Sequence, residues 1–184
     1  MSVYLAADEG RRLPWAGRTA MHRTKSKDPT DRMGVYKRFE DVPDHHRLER
    51  YAERYEGQNV WASFCEEYEY QQGSSEHFRR AVDRAGDHWL THMSTRGRHH
   101  ALATPADVEV WCAGLTAEKS LSTAYNYWVR IRRFYDWLQW HVDHPHVYNP
   151  VLMAVVDGGA AGLIWEQKLR KWCDARARYT QTDE

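Results

Sequence analysis

Between Ser120 and Val142 the apolar residues Leu121, Ala124, Trp128, Ile131, Tyr135, Leu138 and Val142 recur at alternating steps of three and four. Only an α-helix brings such positions onto one side, because a helical turn takes about 3.6 residues. A chain carrying this stripe must bury one long helical face, and Phe134 and Trp137 widen it. The spacing predicts a helix that starts at Ser120 or Ser122 and runs to about Val142. His144-Pro145 and Asn149-Pro150 break the chain afterwards.

Shorter segments repeat the pattern. Ser75 is an N-cap for a helix to about Met93, with Phe78, Val82, Ala85, Trp89 and Met93 on one side and Gly97 beyond its end. Thr104-Pro105 starts another in the preferred way, with Val108, Trp111, Cys112 and Leu115 inward and Gly114 weakening its end. Val60–Tyr70 and Asp44–Tyr55 read as helices, the second capped by Asp44. After the short apolar piece Val151–Val156, Gly158-Gly159 separates a last helix, about 160–177, with Ile164, Trp165, Leu169, Trp172 and Cys173 inward. No segment alternates with period two. The expected fold class is all-α, a compact helical bundle with an N-terminal arm and extra terminal helices.

Composition narrows the classes. Nine Trp, eleven Tyr and four Phe in 184 residues can fill a core, which excludes a wholly disordered chain. With 26 basic and 26 acidic side chains, the chain is not a polybasic tail protein. No apolar stretch is long enough to span a membrane, and the N-terminus lacks the bases and apolar run of a secretory leader. Cys65, Cys112 and Cys173 are odd in number and far apart, so no disulfide framework is expected. These features predict a soluble, reduced, cytoplasmic protein.

Neutrality is an average. Arg11 to Arg54 holds twelve Lys/Arg against seven Asp/Glu, and Tyr55 to Arg80 holds two against five. Residues 1–38 read as a basic, flexible arm, 39–74 as an N-terminal helical extension, 75–150 as the central domain, and 151–184 as a C-terminal helix and tail.

Two cationic helix faces carry the candidate chemistry. On the longest helix the polar side reads Ser122, Thr123, Asn126, Arg130 and Arg133, with no acid among them. Arg pairs with guanine edges or phosphates and Asn with adenine edges, while hydroxyls near a helix start can donate to phosphate. Arg80 and Arg84 form a second, weaker patch on the earlier helix. The ordinary alternative is a pair of solvated faces.

The stretch from about Ser75 to Pro150 resembles the N-terminal, SAM-like core-binding domain of the tyrosine recombinase (phage integrase) family. The features come in the family's order. The helix SEHFRRAVDRAGDHWLTHM is followed by A-T-P-A-D-V-E-V-W, then by L-S-T-A-Y-N-Y-W-V-R-I-R-R-F-Y-D-W-L, and Asn149-Pro150 closes the unit. The richness in Arg, Trp and His is also similar to integrase-like proteins of haloarchaea, without their acidic excess. The resemblance implies a helical clamp on duplex DNA, with the first and third helices toward the major groove. It marks Arg80, Arg84, Ser122, Thr123, Asn126, Arg130 and Arg133 as DNA-binding residues.

The family's catalytic domain supplies a Tyr nucleophile with Arg, Lys and His/Trp partners. Only 34 residues follow Pro150, so no catalysis is expected. The H-x-x-R string at His77–Arg80 lies at the start of the unit and not after it, and reads as chance, and Tyr179 lacks partners nearby. His141, His144 and His146 read as loop histidines, with His99-His100 and His45-His46 as surface or capping residues. No metal, cofactor, membrane or small-molecule substrate is expected. Double-stranded DNA is the expected partner, with a recombinase or a second copy as further partners. The expected function is an accessory or regulator of site-specific recombination or DNA integration. The alternatives are a helical protein–protein adaptor without DNA affinity and the DNA-binding half of a split recombinase.

Overall fold

The computed structural model describes residues 27–181, with the side chains of Trp172 and of residues 174–181 outside that description. The arm's first 26 residues and the side chains of Trp172 and Tyr179 therefore lie outside the described residues. The fold is all-α, with no strand among the described residues. Its helices are α1 (Ala52–Tyr55), α2 (Val60–Glu67), α3 (Glu76–Thr95), α4 (Pro105–Glu118), α5 (Leu121–Trp140), α6 (Pro150–Val156) and α7 (Gly159–Gln181). Short 3-10 turns precede α1 and join α2 to α3.

α5 is the central pillar, packed against α2, α3, α4, α6 and α7. Its stripe behaves as its spacing requires: Ala124, Trp128, Ile131, Tyr135 and Leu138 are fully buried. The helix stops at Trp140, though, with His141 extended, so Val142 ends 94% exposed. Trp128 meets Trp165 of α7 edge-on at 6.0 Å, and Trp89 of α3 meets Trp111 of α4 at 5.0 Å. Geometry of this kind adds to the area that such rings bury.

Local signals set the helix starts. Ser75 Oγ accepts from the Phe78 N–H at 3.2 Å, and Ser120 Oγ accepts from the Thr123 N–H at 3.3 Å. Thr104 and Asp107 form a reciprocal capping box, and Arg98 lies 3.3 Å from the buried Asp107 carboxylate with Arg96 beside it. Asn149 accepts from the Val151 and Leu152 N–H groups at 2.9 and 3.4 Å. At α7 the start is long-range: Glu109 of α4 accepts from the Ala160 and Ala161 N–H groups at 2.6 and 3.0 Å. Gly159 has φ 67°, and a Cβ there would lie 2.2 Å from Glu109 Oε1.

Several expectations change where tertiary packing overrides local pattern. Asp44–Tyr55 is not one helix but two 3-10 turns followed by α1, and Asp44 pairs with Arg47 at 3.3 Å instead of capping. This bent path brings both Leu48 and Tyr55 into the core. α2 ends at Glu67 because the next turn carries Glu69 inward, leaving Tyr68 exposed. α4 runs through Gly114 to Glu118, and Cys173 is exposed. Of the expected arm, residues 27–38 lie against the bundle. Trp165 Nε1–H donates to the Lys27 carbonyl at 3.2 Å, the Arg32 guanidinium sits 5.1 Å from the Trp165 ring, and Met33 and Tyr36 pack on the core. One continuous apolar cluster runs from Val42 to Trp165.

Candidate nucleic-acid interface

A helix advances about 100° per residue, so Ser122, Asn126, Arg130 and Arg133 fall within a narrow outward sector of α5, with Thr123 at its edge. Ser122, Thr123 and Asn126 are exposed, while Arg130 and Arg133 are half-buried. The packing of α3 beside α5 carries Arg84 of the second patch toward this sector. The Arg130 guanidinium lies 5.2 Å from the Phe78 ring of α3, and the positive charges of Arg133 and Arg84 help to lower its pKa. The structure thus brings Arg84, Arg130 and Arg133 together. Arg80 lies one turn from Arg84 and is exposed, paired with Glu76 at 2.9 Å. An exposed pair of this kind is weak and readily exchanged.

The face is acid-free along α5 but not in space. Glu69, in the turn between α2 and α3, is wholly buried and faces Arg133, whose NH1 donates to both carboxylate oxygens at 3.2 and 3.4 Å. Burial raises the Glu69 pKa, and the pull of Arg133 and Arg130 opposes that rise. Arg133 is therefore paired with an internal carboxylate while its side chain stays partly exposed. Arg130 has no such pair. Its NH1 donates to the Asn126 carbonyl at 3.1 Å, its Nε is enclosed without a hydrogen-bond partner, and burial lowers its pKa.

At the start of α5, Thr123 Oγ1 lies 3.0 Å from Ser120 Oγ, and Ser122 Oγ accepts from Lys171 Nζ of α7 at 2.8 Å. Sequence reading misses Glu69 and Lys171. The acidic run Glu66-Glu67-Tyr68-Glu69 and the basic run Lys168 to Lys171 are visible in the chain, but no local rule says which neighbour each reaches.

The other end of α5 has a different surface. A cleft of about 830 Å³ is lined by Asp31, Arg32, Tyr68, Arg132, Arg133, Asp136, Trp137 and Trp140. Arg132 and Asp136 pair within it at 2.8 Å, so its charges are largely matched. Trp140 is 88% exposed at the rim, with Val142 beyond it.

Three histidines are wired into the fold. His100 is buried. Its Nε2 accepts from the Trp61 N–H at 3.1 Å, and its carbonyl accepts from Trp89 Nε1–H at 2.9 Å and Tyr135 OH at 3.0 Å. His146 Nε2 donates to the Ala101 carbonyl at 2.7 Å, and His144 Nδ1 bonds Tyr55 OH at 2.8 Å. The surface expectation for His100 is thus replaced by a core role. Among the described residues no group of three or more His, Cys, Asp or Glu is placed to hold a metal ion. No helix among them is long and apolar enough to cross a membrane.

No protein-family model, no curated protein and no solved structure matches this chain.

Proposed function

We propose that this chain is a DNA-binding protein of the integrase core-binding type, acting through binding and not through strand chemistry. The carrying observation is the adjacency of the two arginine patches. Arg84 of α3 lies close enough to the half-buried Arg130 of α5 to act on its charge, Arg80 sits one turn from Arg84, and Ser122, Thr123 and Asn126 are exposed along the same side of α5. α5 itself holds no acid from Leu121 to Tyr135. Such a ridge offers hydroxyl, amide and guanidinium donors at helical spacing, the set that phosphates and base edges accept. A role as accessory or regulator of recombination or DNA integration follows from the sequence resemblance, with duplex DNA as partner.

The test is a salt-dependent binding titration with random duplex. Arg84→Ala with Arg130→Ala is expected to weaken binding and to flatten the salt slope by roughly 0.9 for each phosphate no longer neutralised. Arg133 is left intact because its removal would strand Glu69. Undiminished affinity in the double variant, with its fold retained, counts against the reading. Strand cleavage by the purified chain would overturn the non-enzymatic part.

A second reading has its own support. The Arg133–Glu69 pair withdraws one cation from the surface, and exposed Trp140 and Val142 form an apolar tip. Both suit a protein–protein adaptor. In that case Trp140→Ala would abolish partner or self-association, and wild-type duplex affinity would be absent.

A further inference from the structure

The ridge of α5 has a neighbour on each side. Helical geometry sets Tyr125 and Tyr127 about 100° to either side of Asn126. Tyr127 is on the α3 side, where its ring meets His88 at 5.6 Å. Tyr125 is on the α7 side. Each ring carries an ammonium from another part of the chain: Lys119 lies 5.7 Å from the Tyr127 centroid and Lys171 lies 4.8 Å from that of Tyr125.

Lys171 is the more informative of the two. Lys119 has a carboxylate at 4.0 Å, that of its own neighbour Glu118. Lys171 has Ser122 Oγ at 2.8 Å and the Tyr125 ring, and no carboxylate partner among the described residues. An ammonium has three donors, and Ser122 takes one. The charge is therefore held beside an exposed hydroxyl of the ridge, on a stretch of α5 that has no acid of its own. The packing of α7 along α5 makes this placement part of the fold. An ammonium held in this way suits a polyanion with regularly spaced phosphates.

We propose that Lys171 contacts a phosphate of the bound duplex, so that α7 forms a third wall of the interface beside α3 and α5. The inference rests on the duplex-binding reading above. It extends the surface beyond 75–150, the stretch that carries the sequence resemblance, and it assigns α7 a role besides packing.

The experiment measures random-duplex affinity by fluorescence anisotropy between about 50 and 200 mM salt. The proteins are wild type, Lys171→Gln, Lys171→Arg and Arg130→Ala. Gln keeps a donor for Ser122 and removes the charge, so the start of α5 stays satisfied. Lys171→Gln is expected to weaken binding and to flatten the slope of log K against log salt by about 0.9. Lys171→Arg is expected to restore both. If wild type binds, Arg130→Ala weakens binding and Lys171→Gln changes neither affinity nor slope, the third wall is overturned and the duplex reading stands. If wild type does not bind duplex at any salt, both fall. Unfolding midpoints of the variants, equal to wild type, confirm that charge and not folding is being read.

Discussion

His100 and His146 are buried neutral, and burial pushes each pKa down to about 3 from an ordinary 6.5. The unfolded chain protonates these rings below about pH 6.5, whereas the folded chain resists until about pH 3. Between those values the unfolded state binds more protons. The stabilisation is therefore complete above pH 6.5 and lost as pH falls. The slope is about 1.4 kcal/mol per pH unit for each fully excluded ring. Urea unfolding at about pH 7 and about pH 5 is expected to show this loss. His146→Leu should be less stable near neutral pH, by about 1–3 kcal/mol for the orphaned Ala101 carbonyl, yet lose less on acidification. An equal acid slope in the variant would refute the assignment. Glu69 makes a second residue-level case. Glu69→Gln removes the anion facing Arg133 and leaves that guanidinium without a charged partner. Stability is expected to fall by about 1–3 kcal/mol, while duplex affinity rises and the salt slope steepens. Lower or unchanged affinity would mean that Arg133 does not face the DNA.

At the scale of elements, helix starts divide into those written locally and those written elsewhere. Ser75, Thr104 and Ser120 are legible because the cap and the helix it serves are neighbours in sequence. The start of α7 is legible only as a glycine pair. Its cap is Glu109, on a different helix. The two glycines then differ in what they require. Both have positive φ, but a Cβ on Gly158 meets nothing within 4 Å, whereas one on Gly159 meets the Glu109 carboxylate. Gly158→Ala should cost about 1–2 kcal/mol from backbone strain alone, and Gly159→Ala distinctly more. Thermal unfolding of the two variants checks this, and equal losses would show that Glu109 yields. The stretch from Asp44 to Tyr55 shows the limit from the other side. Its four-residue spacing suits a helix, but Tyr51 OH donates to the His45 carbonyl at 3.1 Å and the chain bends to bury Leu48 and Tyr55. Contacts with the loop before α6 set that path, including a bond from the Leu48 N–H to Tyr148 OH at 3.2 Å. The apolar spacing of the segment does not specify it.

For the whole molecule, helix content and the buried face of α5 are readable in advance because periodicity is a property of one segment. The pairings of α3 and of α7 with α5 join segments distant in sequence, and periodicity within one segment does not specify them. The candidate site follows the same division. Its exposed members on α5 are legible as a face, but the internal counter-ion of Arg133 and the arrival of Lys171 come from chain distant in sequence. The shared core has a thermodynamic consequence. Trp128 is fully buried between α5's own neighbours and Trp165, so Trp128→Ala should cost about 3–5 kcal/mol. Far-ultraviolet circular dichroism and tryptophan fluorescence should report one coincident transition across residues 42–165, because one apolar cluster joins them. Separate transitions would mean that the C-terminal helices melt on their own.

The seating of Lys119 and Lys171 on tyrosine rings matters beyond the charge they carry. A lysine side chain on an open surface samples many rotamers, and gripping a ligand freezes them. Here much of that freedom is already lost when the bundle folds. A phosphate arriving beside α5 would meet cations that are preorganised. Replacing Tyr125 with alanine, which leaves every charge in place, would then slow capture or shorten the lifetime of the complex without altering how many counterions it releases.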